Sequence, residues 1–91
     1  MSSVEECLQI LNAWKNSELE IIVYWVSGSE AVTFKLQGRV SDVTATELHV
    51  MGERETMAAL SLEGGTFVLV GPNRVRVDFR STTGAILELV L

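Results

Sequence analysis

The chain has 91 residues, a formal net charge of −5, 47% hydrophobic residues and 21% charged ones. A chain of this length makes one domain and buries about 60–65% of its unfolded surface, so it folds with little core to spare. Twelve acids against seven bases disfavour whole-molecule attraction to nucleic acid or an anionic membrane. One cysteine and one histidine supply neither an internal disulfide nor a zinc site.

These features make a cytoplasmic location the expectation. Met1–Val4 lacks the basic and apolar pattern of a leader. The longest strongly apolar run, Ile21–Val26, is far too short to span a membrane.

Residues 1–16 predict a helix. Ser3 is placed to cap it, with Glu6 three residues on. Val4, Cys7, Leu8, Leu11 and Trp14 follow helical spacing and form one apolar stripe that must dock on a sheet. From residue 19 to 91 the chain reads as an antiparallel meander. Leu19–Val26 and Ala31–Val43 flank Gly28-Ser29, which suits a two-residue turn. That turn predicts Trp25 opposite Val32, Val23 opposite Phe34 and Ile21 opposite Leu36. Tyr24, Ile22 and Glu20 then face Thr33, Lys35 and Gln37 on the other side. Ile22, Tyr24 and Val26 are too apolar for a plain solvent face, which marks them as a candidate interface.

The apolar parity of the second strand slips between Val40 and Val43, which predicts a bulge near Ser41-Asp42, and Gly38 permits a bend. Leu48–Met51 follows. Thr56–Leu62 reads as a strand, with a short helix as the alternative, and is expected to pair with Thr66–Val70 across Gly64-Gly65. Arg74–Arg80 alternates cleanly. A three-residue loop, Thr82-Thr83-Gly84, predicts Phe79 opposite Leu87, Val77 opposite Leu89 and Val75 opposite Leu91.

Chemistry-bearing residues are few. Cys7 lies on the apolar stripe beside acids, an environment for an inert thiol. His49 is expected near Asp42, with no nucleophile placed beside them. Glu53 and Glu55 flank Arg54 in a solvated turn. The candidate binding feature is a basic stripe: Lys35 and Arg39 on one strand, Arg74, Arg76 and Arg80 on another. Asp78 and Glu88 are positioned to neutralise part of it.

The segment Val32–Val50 resembles the first motif of the Sm-like family of small β-barrels: alternating apolars, Gly38, Val40, a turn, then Leu48-x-Val50. The resemblance implies a barrel and assembly by pairing of edge strands. RNA recognition does not carry over, because Thr44 and Leu48 stand where the family has Asp and Asn, and the later Arg-Gly signature is absent. Asp42-Val43-Thr44 also resembles part of the PilZ motif, with Glu47 in place of its glycine.

The reading is therefore an all-β antiparallel meander, forming a small Sm-like barrel or strongly curled sheet with one N-terminal helix. It is expected to be a non-enzymatic binding or assembly module without cofactor, metal or membrane partner, acting as a homo-oligomer. RNA or nucleotide binding through the basic stripe is the alternative.

Overall fold

The computed structural model describes residues 4–27 and 32–91. Helix α1 spans Val4–Asn16, with Glu5 and Glu6 in its first turn and Lys15 in its last, as the helix dipole favours. The expected cap at Ser3 lies outside the described residues. Cys7, Leu11 and Trp14 are buried, and Leu8 and Ile10 pack against the core, whereas Val4 is exposed. The helix ends in a Schellman turn: the Leu19 amide donates to the Trp14 carbonyl (3.0 Å) and the Glu18 amide to that of Lys15 (3.1 Å). This places Glu18 at φ 53°, where glycine is the usual occupant.

The strands are β1 (Glu20–Val26), β2 (Val32–Val43), β3 (Glu47–Met51), β4 (Met57–Ser61), β5 (Thr66–Gly71), β6 (Arg74–Phe79) and β7 (Ala85–Val90). They form one antiparallel seven-stranded sheet in the order β4-β3-β2-β1-β7-β6-β5. The expected helix and antiparallel strands are present. Barrel closure and strong curling are not: β4 and β5 are the two ends of an open sheet.

This overturns the expected β4–β5 hairpin. Residues 52–56 make a tight reversal instead, in which the Gly52 amide donates to the Thr56 carbonyl (2.7 Å) around Arg54 at φ 58°. The reversal lays β4 back on β3, pairing Leu48 with Leu60 and Val50 with Ala58. The strand assignment for β4 holds, and the helical character is confined to one 3-10 turn at Glu53–Glu55. Leu62, fully buried, then anchors the departure from the sheet. Its amide donates to the Thr46 carbonyl (2.8 Å). Gly64 turns at φ 80°, and Gly65 lies so close to Val77 and Phe79 that a Cβ would collide with both.

Two hairpin registers also differ from expectation. β1 and β2 pair Trp25 with Phe34, Val23 with Leu36 and Ile21 with Gly38, so Tyr24 meets Lys35 and Ile22 meets Gln37, with an irregularity at Trp25/Val26. The expected Gly28-Ser29 turn lies outside the described residues. β6 and β7 pair Phe79 with Ala85, Val77 with Leu87 and Val75 with Leu89. The cause is at Phe79, whose carbonyl accepts the amides of Thr82, Thr83 and Gly84 (3.0, 2.8 and 3.2 Å) and so draws Arg80 and Ser81 into the turn. Both slips are by two residues, which keeps every side chain on its expected face. The final strand stops at Val90, and Leu91 donates its amide to the Asn73 carbonyl (2.9 Å).

The bulge falls between Val40 and Asp42 as expected. Gly38 has a different reason from the one expected: a Cβ there would strike the Met51 carbonyl, so close strand approach requires glycine. One face of the sheet supplies Ile21, Val23, Leu48, Val50, Val75, Val77, Leu87 and Leu89 to a core shared with α1, which packs on β2 and β5.

Candidate functional site

The sheet face opposite the helix carries Lys35, Arg39, Arg74 and Arg76 of the basic stripe and all of the candidate interface, while Arg80 lies in the turn after β6. Cross-strand pairing gives it a definite layout. Tyr24 stands between Lys35 on β2 and Glu88 on β7, and Glu88 is in turn opposite Arg76 on β6. Ile22 has Val90 beside it, and Val26 has Ile86.

The cations do not form a free stripe. Arg76 Nε donates to Glu88 Oε1 at 2.6 Å, and Arg74 Nε lies 3.4 Å from Glu88 Oε2. The two arginines cover the carboxylate so well that the Glu88 side chain is only 14% exposed. Arg80, just beyond β6, makes a bidentate pair with Asp78, with Nη2 at 2.7 Å from Oδ2. The hydrogen bonds from the Arg80 side chain, then from its amide, hold the Asp78 carboxyl below the usual carboxylate range. Lys35 places its ammonium 5.9 Å from the centre of the Tyr24 ring, within cation–π range. Arg39 lies opposite Glu20 on β1 and Met51 on β3. The β1 and β7 strands separate Lys35 and Arg39 from the three β6-side arginines.

Ile22, Tyr24 and Val26 are half-buried on this face. The charged row through Lys35, Glu88 and Arg76 crosses it at Tyr24, so the apolar surface is split into an Ile22–Val90 pair and a Val26–Ile86 pair.

Groups with catalytic potential stay apart. Cys7 is fully buried, and burial, reinforced by Glu6, pushes its thiol pKa up and keeps it protonated. His49 is opposite Asp42, as expected, but its Nε2 contacts Glu47 Oε1 at 3.2 Å. Among the described residues, no group of three or more His, Cys, Asp or Glu is placed to hold a metal ion, and no helix is long and apolar enough to cross a membrane. Several shallow cavities flank the sheet. One of about 270 Å³ is lined by Lys15, Glu18, Arg39 and Ser41, and an apolar one of about 380 Å³ by Trp25, Phe34 and Leu60.

The feature that sequence reasoning missed is at the edges. β4 reads Met-Ala-Ala-Leu-Ser and β5 reads Thr-Phe-Val-Leu-Val-Gly, so neither contains a charged residue or a proline. Pairing the two strands with each other hid the fact that both are edges. Their composition was visible, and the sheet order gives it meaning. Met57 and Val70 are 55% and 45% exposed.

Comparison with protein-family models, curated proteins and solved structures finds no match for this chain. The likeness to Sm-like proteins accordingly stands at the level of a small antiparallel sheet with one helix.

Proposed function

We propose that this chain is a non-enzymatic assembly module that self-associates by adding a strand at the β4 edge of its open sheet. One observation carries the reading: both edge strands lack charge and proline, while every inner strand contains charged residues. Proteins that stay monomeric protect their edges with charge, proline, bulges or a covering helix, because unpaired N–H and C=O groups template another strand. β5 has an irregularity at Leu69/Gly71 and α1 packs on it, so β4 is the edge on which the reading rests. The Ile22, Tyr24 and Val26 face is the weaker contact, since Lys35 and Glu88 interrupt it. Binding of RNA or a nucleotide through the stripe is weaker still, because Arg74, Arg76 and Arg80 already engage carboxylates. The buried thiol of Cys7 and the Glu47-bound imidazole of His49 support a non-catalytic role.

The test is sedimentation velocity across a concentration series. The natural chain is expected to shift to larger species, and Ala59→Lys on β4 to remain monomeric. A strict monomer at millimolar concentration overturns the reading.

A further inference from the structure

The chain has three methionines and one histidine. Both internal methionines and the histidine converge on one patch of the outer face. Met51 on β3 is the direct cross-strand partner of Met57 on β4. His49 lies two residues from Met51 on the same face, diagonal to Met57. Directly opposed residues have Cβ atoms about 4.5–5.5 Å apart and diagonal ones about 7–8 Å, distances that long side chains close easily. Ser41 is within reach of the Met57 thioether. Its hydroxyl donates to the His49 carbonyl (3.1 Å) and sits 4.0 Å from Met57 Sδ. Ser41 is on β2 and Met57 on β4, so the Met57 side chain reaches across β3, the strand that carries His49 and Met51.

From this geometry we propose a binding site for a soft monovalent metal cation, Cu(I) in chemical class, formed by the Met51 and Met57 thioethers and the His49 imidazole. Thioether sulfur is a soft ligand that selects Cu(I), and imidazole suits copper. The second shell has the arrangement that metal-binding histidines use. His49 Nε2 lies 3.2 Å from Glu47 Oε1, and in the tautomer that carries its proton on Nε2 this contact leaves the Nδ1 lone pair for the metal. Charge points to a monovalent ion. The three ligands are neutral and Arg39 is opposite Met51. Glu47 supplies compensating negative charge beside His49, whereas Asp42 is paired with Lys15 at 3.8 Å. A hard divalent ion would need carboxylate ligands converging here, and among the described residues no such group exists. The site is open to its ion, since Met57 is 55% exposed. It is independent of self-association, because a strand added to β4 would leave this face clear.

The test is Cu(I) titration of the intact chain, under ascorbate and without oxygen, in competition with a chromogenic Cu(I) chelator. A parallel Ag(I) titration in chloride-free buffer follows the methionine methyl signals by NMR. One equivalent is expected to bind, with the Met51 and Met57 methyl signals shifting together. Met51→Leu and Met57→Leu, which preserve volume, are each expected to weaken binding at least about tenfold, and Glu47→Gln to weaken it by about the same factor through the imidazole. Cys7→Ala is expected to leave binding unchanged, because that thiol lies in the core. Loss of binding in Cys7→Ala, a shift of the Met1 methyl alone, or full affinity in the folded Met51→Leu/Met57→Leu double variant overturns the proposal.

Discussion

The inner strands and the edge strands of this sheet are built on opposite rules. β1, β2, β3, β6 and β7 place charged side chains on the face away from the helix, and among them Arg74, Arg76 and Glu88 form a bridged trio. β4 and β5 carry no charge at all. Charge on inner strands does nothing to block edge pairing, and the edges that need blocking lack it. The difference shows that the outer-face ion pairs serve the sheet itself. They fix neighbouring strands, and the proposed self-association falls to the uncharged β4 edge.

The largest effect is expected where the chain leaves one edge for the other. Leu62 is the fully buried side chain that ends the β4 segment and begins the crossover to β5. Leu62→Ala should destabilise the fold by about 3 kcal/mol, through lost burial and the cavity left behind. Urea unfolding measures it. A loss under 1 kcal/mol would mean that the crossover, and with it the separation of the two edges, is not anchored as described.

The next contrast sets an inner glycine against an edge one. A Cβ at Gly38 would strike the Met51 backbone, which cannot swing aside as a side chain can, whereas one at Gly71, at the end of β5, meets nothing within 4 Å. Gly38→Ala should cost about 2 kcal/mol or more, and Gly71→Ala should stay within about 0.5 kcal/mol of the natural chain. Equal effects in thermal unfolding would erase the distinction between a close-packed interior and an open edge.

Glu88 tests the inner rule directly. Its carboxylate is 14% exposed and serves two arginines at once. Glu88→Gln should cost about 1–2 kcal/mol, since charge-assisted hydrogen bonds exceed neutral ones and Arg74 and Arg76 are left facing each other. The same substitution unmasks the basic stripe. A gain of salt-sensitive RNA binding only in Glu88→Gln would show that the natural ion pairs suppress that activity.

Much of this fold is legible in the sequence because period-2 alternation survives a two-residue slip. Val75, Val77 and Phe79 are on the buried face as their spacing predicts, even though each meets a different partner on β7 from the one loop length suggested. The bulge at Ser41-Asp42 is readable for the same reason, since Val43 breaks parity. Strand order is not readable in this way. Gly64-Gly65 looks like a hairpin turn, yet Gly65 is glycine because Val77 and Phe79 crowd it, a tertiary contact with no local signature. The candidate site follows suit. The neutralisation of Arg74, Arg76 and Arg80 is visible from the alternation with Asp78 and Glu88. The convergence of Met51, Met57 and His49 depends on the register of β4 on β3, which a meander allows but no local residue specifies.

The smallest effect separates local charge pairing from assembly by pH. Arg80 holds the Asp78 carboxyl below its usual range by side-chain and then backbone hydrogen bonds. A carboxyl whose pKa is depressed in the folded state contributes stability that is fully present above its unfolded pKa, about 3.9, and that fades as pH falls through the lower folded value. Asp78→Asn should therefore be slightly less stable than the natural chain at pH 7, and the gap should close as the pH drops below about 4. The pair is on the surface, so the effect is small and shrinks in high salt. Edge pairing runs through backbone groups and uncharged side chains, so the self-association of Asp78→Asn at pH 7 should match that of the natural chain. If Asp78→Asn loses association while remaining folded, the charged inner strands take part in assembly, and the contrast between edge and interior no longer explains it.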